Sequence, residues 1–344
     1  MAKTTRWTAV AAFSALSILG AACSSGDGNG SGGSGDGGGG GLTGSVVVSG
    51  SSTVQPISSL VAEKFSSENP DVQISVDGPG TGDGFALFCD GKTDVSDASR
   101  PIEVTEAATC DENGINYVEL KIGLDGITVM TNPSSDAVTC LTKVDLYSLF
   151  GPESQGFTTW AAANGLDKEL GGTGTFPDAP LDITAPGEES GTYDAFIELA
   201  GIEDTALSHG VAADQAASLR PDYQSSPDDN VIIQAMEGSA SSLGFVGFAY
   251  AQGAGDQIKE LEIDGGNGCT SPTFDSIADG SYPLSRSLYV YVNTDEASQN
   301  PALKGFIDFY MSSDGFASVD EAGYVNLPDS DISATRSAWS SAAG

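Results

Sequence analysis

From residue 45 to the end of the chain, short apolar runs alternate with amphipathic stretches, and this alternation limits the folds that the sequence can adopt. Residues 46–48 and 72–76 are rich in β-branched side chains and predict strands. Between them, apolar side chains recur with the spacing of one helix face until Asn69 and Pro70 interrupt the pattern. Strands separated by helices are typical of an α/β architecture.

The remaining elements follow the same pattern. Thr53 is placed to cap the first helix, and Pro56 suits its first turn. Two later helices are expected to stop at Gly201 and Gly238, since glycine allows a left-handed C-terminal cap. In chain order the pattern predicts strands at 117–122 and 127–131 on either side of 123–126, helices at 144–150, 193–200 and 231–237, a buried strand at 288–292 and a helix that begins at Pro301.

The first 44 residues have the composition of an export leader followed by a tether. Basic residues, then an apolar stretch at 9–19 that is too short to span a bilayer, then small residues precede Cys23, so residues 1–22 predict a signal peptide. Cys23 resembles the lipidated cysteine of bacterial lipoproteins, although the usual aliphatic residue stands four positions before it, at Leu19, instead of three. Residues 23–44, mostly Gly and Ser, predict a lipid-anchored flexible linker, with an ordinary secretory signal as the alternative.

Four cysteines follow the lipidation site, an even number in a chain that is expected to be exported, so we expect disulfide bonds. From their order along the chain we expect Cys89 to pair with Cys110 and Cys140 with Cys269. No pair has a short ligand spacing such as C-x-x-C, and His209 is the only histidine. We therefore expect no metal site and no cofactor.

The charge of the chain excludes some partners. Its 48 acidic and 13 basic side chains give a formal net charge of -35. Nucleic acids and anionic membrane surfaces repel such a protein, so membrane contact is expected only through the lipid anchor. Acidity spread along a chain also favours solubility in high salt.

Four segments rich in Gly, Ser and Thr lie where a predicted strand would lead into a helix. Helix N-termini present unpaired N–H groups and a partial positive charge, so they can bind an anion with little formal charge. Each segment alone also suits a structural turn or cap, but together they predict a site for one small oxyanion. The segments are 50–54, 80–84, 98–101 and 189–193.

Arginine supplies the countercharge that such a site needs. Only four arginines follow the linker, and Arg100 lies inside one of the four segments. Its planar guanidinium can form two hydrogen bonds with a phosphate-like tetrahedron. A structural salt bridge is the alternative role for Arg100, and we expect Arg286, in 283–286, to be structural.

Three of these segments carry a family resemblance. Gly-Ser-Ser-Thr-Val-Gln-Pro at 50–56, Asp-Ala-Ser-Arg-Pro-Ile at 97–102 and Glu-Ser-Gly-Thr-Tyr-Asp-Ala-Phe at 189–196 resemble segments of periplasmic and lipoprotein phosphate-binding proteins of ABC-type uptake systems. Their order and spacing agree, and the stretches at 244–250 and 282–286 are also similar. The resemblance thus covers nearly everything after the linker.

The resemblance implies a two-lobed periplasmic-binding-protein-like (type II) fold, with the ligand cleft between the lobes and a two-strand hinge. We expect lobe I to contain 45–125 plus 285–344 and lobe II to contain 126–284. The protein would be a monomer that captures inorganic phosphate at the cell surface, anchored to the outer face of the cytoplasmic membrane. It would deliver the phosphate to the membrane permease of an ABC importer.

The resemblance also implies site residues. Arg100 would supply the charge, and hydroxyl and N–H donors would come from both lobes. These donors are Ser52, Thr53, the N–H of Val54, Thr81 and Ser99 on one side, and Ser190, Gly191 and Thr192 on the other.

Two departures from the family concern selectivity. Some relatives have an aspartate at the position of Ser99 and an arginine at that of Pro186. A carboxylate in the cleft accepts the proton of hydrogen phosphate and would repel sulfate. Asp125, at the presumed hinge, is the preferred replacement, with Asp83 as the second candidate.

Two other functions remain open from the sequence. A binding protein for sulfate or another oxyanion would have similar segments. A secreted phosphate-ester hydrolase with a serine near Gly191 would need a general base, and His209 lies in an unremarkable stretch. We therefore expect a binding protein and not an enzyme.

Overall fold

Strands and helices alternate throughout the computed structural model, which describes residues 41–135 and 138–344. The strands are β1 (Gly44–Gly50), β2 (Val72–Asp77), β3 (Val95–Ala98), β4 (Tyr117–Thr131), β5 (Cys140–Thr142), β6 (Asp182–Ala185), β7 (Gln224–Ser225), β8 (Ser242–Gly247), β9 (Lys259–Glu260), β10 (Glu262–Asp264), β11 (Cys269–Thr270) and β12 (Ser285–Asn293). The helices are α1 (Gln55–Glu68), α2 (Thr81–Cys89), α3 (Val104–Asn113), α4 (Lys143–Phe150), α5 (Asn164–Glu169), α6 (Gly191–Ala200), α7 (Ile202–His209), α8 (Ala213–Ala216), α9 (Asp229–Gly238), α10 (Phe248–Ala254), α11 (Phe274–Ala278), α12 (Thr294–Gln299), α13 (Pro301–Tyr310), α14 (Ser313–Glu321) and α15 (Asp329–Ala342). The predicted α/β class is confirmed.

One mixed sheet contains most of the strands in the order β2-β1-β3-β12-β4-β8-β6-β7, and β9 pairs with β4. β1 is parallel to β2 and β3, whereas β12 is antiparallel to both β3 and β4. β6 is parallel to β8 and β7. A smaller sheet has the order β11-β10-β5. Along the chain, β1 is followed by α1, β3 by α3 and β6 by α6, so each of these strands leads to a helix N-terminus.

β4 connects the two halves of the main sheet, because its first part pairs with β12 and its second part, from Ile127, pairs with β8. The sequence predicted two strands here, separated by 123–126, and this prediction was wrong. Gly123 and Gly126 stay within one extended strand. A Cβ at Gly126 would lie 2.7 Å from the side chain of Ile277, and a Cβ at Gly123 would lie 3.0 Å from that of Val319. These glycines make room for packed helices and do not form a turn.

Two of the expected helix caps differ in the structure. Val54, which has no side-chain cap, precedes α1, so Thr53 is not the cap. Gly238 is the last residue of α9, and the extended Ser239 follows it, so the helix does not end in a left-handed glycine. Gly201 does adopt the expected left-handed conformation after α6, with φ of 69°.

Aromatic side chains anchor α6 to the sheet. The ring of Phe196 stacks on that of Phe245 in β8 at a centroid distance of 4.0 Å, and both contact Phe150 of α4. All three side chains are buried. Burial of each stabilises the fold by about 1.5–3 kcal/mol, which fixes the position of the first turn of α6.

Both expected disulfides are present. Cys89 at the end of α2 is bonded to Cys110 of α3, and Cys140 of β5 is bonded to Cys269 of β11. The first closes a separation of 21 residues and the second a separation of 129. The longer loop removes more freedom from the unfolded chain.

The expected signal peptide and Cys23 lie outside the described residues. None of the helices in 41–135 and 138–344 has the length and apolar character needed to cross a membrane. The lobe boundaries given above stay a prediction.

Candidate functional site

Gly50 brings the first turns of α1 and α2 together at the end of β1. Its φ is +151°, and a Cβ there would lie 2.0 Å from the carbonyl oxygen of Asp97. A Cβ on Gly84 of α2 would lie 2.4 Å from the Cα of Gly50. The N–H of Gly80 donates to the carbonyl of Gly50 at 2.9 Å. Only glycine at 50 and 84 allows this close approach of α2 to the end of the strand.

The turn at 51–54 lies between these helices. The N–H of Ser51 donates to the carbonyl of Asp97 at 2.9 Å, and the carbonyl of Ser51 accepts from Val54 and Gln55. The N–H of Val54, which the sequence analysis expected as a ligand donor, is therefore already in use. Within the described residues, the N–H groups of Ser52 and Thr53 make no hydrogen bond. They are the orphan donors that precede a helix.

The first turn of α6 lies against the same turn. The hydroxyl of Ser190 caps α6 by accepting from the N–H of Thr192 at 3.2 Å. A Cβ on Gly191 would lie 3.7 Å from the carbonyl oxygen of Ser52 and 3.8 Å from the Cα of Thr53. The N-termini of α1 and α6 therefore meet, and the positive ends of two helix dipoles face one place.

Thr81 and Ser99 form a hydroxyl pair at the start of α2. Their side-chain oxygens are 3.1 Å apart, and the N–H of Ser99 donates to the hydroxyl of Thr81 at 3.2 Å. Because Gly80 is bonded to Gly50, this pair belongs to the same edge of the sheet as the turn at 51–54.

Arg286 is the cation that contacts the turn. Its side chain is 8 % exposed, and its Nη2 donates to the hydroxyl of Thr53 at 2.9 Å. Its Nε donates to Asp125 at 3.2 Å, and its Nη1 donates to Glu198. From the sequence, Arg286 is expected to be structural, whereas the structure places it beside the predicted site residues Thr53 and Asp125.

Asp125 faces Arg286 from the neighbouring strand and is buried. Burial raises the pKa of Asp125, and the charge of Arg286 opposes this shift. Leu124 pairs with Val325, so Tyr324 lies next to this ion pair. Burial, and then the charge of Asp125, raise the pKa of Tyr324, so its hydroxyl remains a neutral donor. Its oxygen would lie 3.5 Å from a Cβ on Gly191.

Arg100 is bound to a different carboxylate. Its Nη1 and Nη2 each donate to Glu106 of α3 at 2.8 Å, and its guanidinium lies over the ring of Phe85. The side chain is 31 % exposed. The hydrogen bonds to Glu106 raise the pKa of Arg100. A Cβ on Gly82 would lie 4.0 Å from its Nη2, so Arg100 borders the start of α2. Its role as the main countercharge stays a prediction.

Two carboxylates of α6 contact donors of the cluster. Asp194 accepts a hydrogen bond from the hydroxyl of Ser52 at 3.2 Å. Glu198 accepts from Arg286 and is 56 % exposed. Burial raises the pKa of Asp194. An anion that binds the hydroxyl of Ser52 or Nη1 of Arg286 competes with these carboxylates as acceptor.

A buried hydrogen-bond network of Asp97, Ser58 and Tyr310 supports the turn at 51–54. The carboxyl of Asp97 accepts a hydrogen bond from Ser58 of α1 at 2.9 Å, and the hydroxyl of Ser58 lies 3.1 Å from that of Tyr310. Burial raises the pKa of Asp97 to about 7. This network connects the end of β3 to α1, and it therefore stabilises the turn that lies beside both elements.

The structure therefore brings most predicted residues to one place. Asp83, the second candidate for a proton acceptor, lies in the first turn of α2. Four members of the cluster are not predicted from the sequence as site residues: Arg286, Asp194, Glu198 and Tyr324. Two features of the sequence could have pointed to Arg286. Arginine is scarce after the linker, and Arg286 and Asp125 have opposite charges and each lie next to a predicted strand.

This arrangement suits recognition of a small oxyanion. One buried guanidinium contacts the turn before α1, the N-terminus of α6 meets the same turn, and the hydroxyl pair at the start of α2 belongs to the same edge of the sheet. A carboxylate beside the guanidinium can accept a proton. In the part of the chain that the structure describes, no group of three or more His, Cys, Asp or Glu side chains is placed to hold a metal.

Comparison with known proteins agrees with this arrangement. The chain matches the family model described as "PBP superfamily domain" over residues 35–314. It is 39% identical to protein SphX of Synechocystis sp. over 83% of this chain and 79% of that protein. It is 34% identical to the phosphate-binding protein PstS of Staphylococcus saprophyticus, over 86% of this chain and 84% of that protein. The crystal structure of a possible phosphate binding protein from Planctomyces limnophilus superposes with a TM-score of 0.78 at 32% identity, covering 88% of this chain and 99% of that one.

Proposed function

This chain belongs to the PBP superfamily and to its phosphate-binding proteins of ABC-type uptake, and we propose that it captures inorganic phosphate outside the cell and delivers it to the permease of an ABC importer. Proteins of this family bind a substrate and are not enzymes. The hydrolase considered from the sequence is therefore excluded.

The observation that supports phosphate at this place is the contact of Arg286 with Thr53 at the meeting of α1 and α6. Phosphate would accept hydrogen bonds from the guanidinium and from the free N–H groups of Ser52 and Thr53. The first turn of α6, with Gly191 and Thr192, would bind its other side. Thr81 and Ser99 would complete the site from α2, with Arg100 as a second cation at its edge.

Asp125 gives a physical basis for selectivity. Hydrogen phosphate carries a proton, which a buried carboxylate can accept, whereas sulfate at neutral pH has none to donate. The ion pair with Arg286 supports the charged form of Asp125 against the effect of burial. We therefore propose that the site prefers phosphate to sulfate.

The leader supports attachment at the cell surface. Cys23 follows an apolar stretch and opens a Gly/Ser linker, so we propose that it is lipidated and that the protein is held on the outer face of the cytoplasmic membrane. A Cys23→Ser variant should appear in the culture medium instead of the membrane fraction.

Calorimetric titration of the mature chain tests the ligand. We expect tight phosphate binding at neutral pH and at least about a hundredfold weaker sulfate binding, in line with the effect of an unpaired polar group in a closed site. Equal affinities would contradict the role of Asp125, and absence of phosphate binding would contradict the proposed function.

A further inference from the structure

Two buried carboxylates that are not among the proposed phosphate ligands contact each other between α4 and α5. Asp145 of α4 is 5 % exposed and Asp167 of α5 is 1 % exposed. Oδ1 of Asp145 and both carboxylate oxygens of Asp167 are buried without a hydrogen-bond partner. The carboxyl of Asp167 lies within hydrogen-bonding range of that of Asp145. Three acceptor atoms therefore converge without donors.

The orientation of Asp145 is fixed by the start of α4. Its Oδ2 accepts from the N–H of Thr142 at 2.6 Å and from the hydroxyl of Thr142 at 2.7 Å, which forms a capping box. This leaves Oδ1 directed towards Asp167. The unpartnered oxygen therefore belongs to a side chain whose rotamer is held by two hydrogen bonds, and the Asp145 N–H in turn donates to the Thr142 hydroxyl at 3.1 Å.

A glycine-rich loop at 171–175 covers the two carboxylates. A Cβ on Gly172 would lie 2.2 Å from Oδ1 of Asp167, and a Cβ on Gly174 would lie 2.1 Å from Oδ1 of Asp145. The loop therefore approaches the carboxylates as closely as backbone can. Among the described residues, the carbonyls of this loop accept no hydrogen bond, and the N–H of Gly174 lies beside the carboxyl of Asp167.

The charge of this pair needs compensation. Within 41–135 and 138–344, no lysine or arginine forms an ion pair with Asp145 or Asp167. Both side chains are buried, and the unpartnered oxygens of the two carboxyl groups face each other. Two adjacent buried carboxylates without a counterion destabilise a fold strongly. A bound cation or a retained proton must balance them.

We propose that Asp145, Asp167 and the loop at 171–175 form a binding site for Ca²⁺. Calcium takes six to eight oxygen ligands in irregular geometry, from carboxylates, backbone carbonyls and water. The three unpartnered carboxylate oxygens are of this type, and carbonyls of the loop and water would complete the set. The site contains no sulfur or imidazole ligand, as His209 and the four bonded cysteines lie elsewhere, so zinc and copper do not fit.

Calcium would connect α4, α5 and the loop between α5 and β6. Trp160 packs against Phe176 at the end of this loop, with ring centroids 6.1 Å apart, so the cation would fix a segment that already closes over the core. The site contains none of the proposed phosphate ligands. Its role is structural, and it departs from the expectation of no metal site, which considered only zinc-type ligands.

Thermal unfolding and calorimetric titration of the mature chain, stripped of metal with a chelator and held in potassium chloride, test the proposal. Ca²⁺ should raise the unfolding temperature of the parent, and Mg²⁺ should raise it less, because Mg²⁺ demands a regular octahedron. The Asp167→Asn variant should bind Ca²⁺ about tenfold or more weakly. Without Ca²⁺ it should be at least as stable as the parent, since it has lost a buried repulsion.

Glu169→Gln is the matched control. Glu169 is exposed on the same helix, and the substitution removes the same charge. The control should respond to Ca²⁺ as the parent does. The proposal is overturned if Ca²⁺ leaves the parent unchanged, as a retained proton would predict. It is also overturned if Asp167→Asn responds like the parent, because the effect would then arise from general screening of the acidic surface.

Discussion

Replacing Arg286 with alanine should abolish most phosphate binding. The guanidinium is 8 % exposed and donates to Thr53, Asp125 and Glu198, so it is held at the meeting of α1 and α6 before any ligand arrives. Such preorganisation means that little side-chain freedom is lost when phosphate binds. Most of the interaction energy between Arg286 and phosphate is therefore available as binding free energy.

The magnitude follows from the contacts that are lost. A hydrogen bond to a charged group is typically worth about 1.5–3 kcal/mol, which corresponds to about 10- to 150-fold in affinity. A guanidinium can offer two such bonds to one oxyanion, so we expect a loss of about a hundredfold or more. Lysine retains the charge without the planar fork, so Arg286→Lys should restore only part of the affinity.

Stability must be measured beside affinity. Alanine leaves Asp125 buried without its partner, and breaking a buried ion pair typically costs about 3–5 kcal/mol. The pKa of Asp125 is already raised by burial, so protonation would relieve part of this cost. Calorimetric titration should therefore accompany thermal unfolding for each variant. If alanine unfolds the chain, the double variant Arg286→Met with Asp125→Asn is compared with Asp125→Asn alone, so that the difference reports on Arg286.

Two further arginine variants make the result decisive. Arg336→Ala removes the same charge at a remote position on α15, where the side chain donates to the carbonyl of Met311, so it should bind phosphate as the parent does. Arg100→Ala should lose about tenfold or less, since its guanidinium is partly exposed and already bound to Glu106. If a folded Arg286→Ala variant binds phosphate within about threefold of the parent, or if Arg100→Ala loses more, our assignment of the central cation is wrong.

Three other outcomes can be measured. Glu198→Gln should bind phosphate about two- to fivefold more tightly, because an exposed carboxylate no longer competes for Arg286. The control Glu203→Gln, at another exposed position, should leave the affinity unchanged. Equal affinities of the two variants in calorimetric titration would contradict the competition. Burial raises the pKa of Asp97 to about 7. The folded chain therefore keeps a proton that the unfolded chain releases near pH 4. As a result, the free energy of unfolding should fall as the pH rises from about 4 to 7, and then level off. Asp97→Asn should reduce this fall in urea denaturation series, and an unchanged pH profile would refute the assignment. Removing the disulfide of Cys140 should cost up to about 5 kcal/mol and that of Cys89 up to about 3, because the loops span 129 and 21 residues, and a reversed order would contradict the loop-entropy argument.

The strand-to-helix transitions could be predicted from the sequence because they depend on local chemistry. Gly50 ends β1 five residues before α1, and Ser190 directly precedes α6, as the hydroxyl-rich segments indicated. A glycine's role was less predictable, because it depends on what packs against it. Gly126 reads as a turn in the sequence, but the side chain of Ile277 requires a position without Cβ inside a continuous strand.

The cation that we propose as central could not be identified from the sequence, because its position depends on strand pairing. Arg286 lies opposite Asp125 only because β12 runs antiparallel to β4 in one register, over a separation of 161 residues. Arg100, by contrast, lies within a hydroxyl-rich segment, so local reasoning favoured it. In the structure Glu106, six residues later, binds both of its terminal nitrogens.

A net charge of -35 and an anion site are compatible because the two act over different distances. Repulsion from surface carboxylates is screened within about 8–10 Å at physiological salt, so it slows the approach of phosphate more than it weakens the bound state. Inside the site, the donors are mostly neutral hydroxyls and N–H groups, and the one buried guanidinium is neutralised by Asp125 and Glu198. In the proposed binding mode, phosphate would replace Glu198 at a preformed cation. This exchange would let a strongly acidic chain hold an anion with little positive charge.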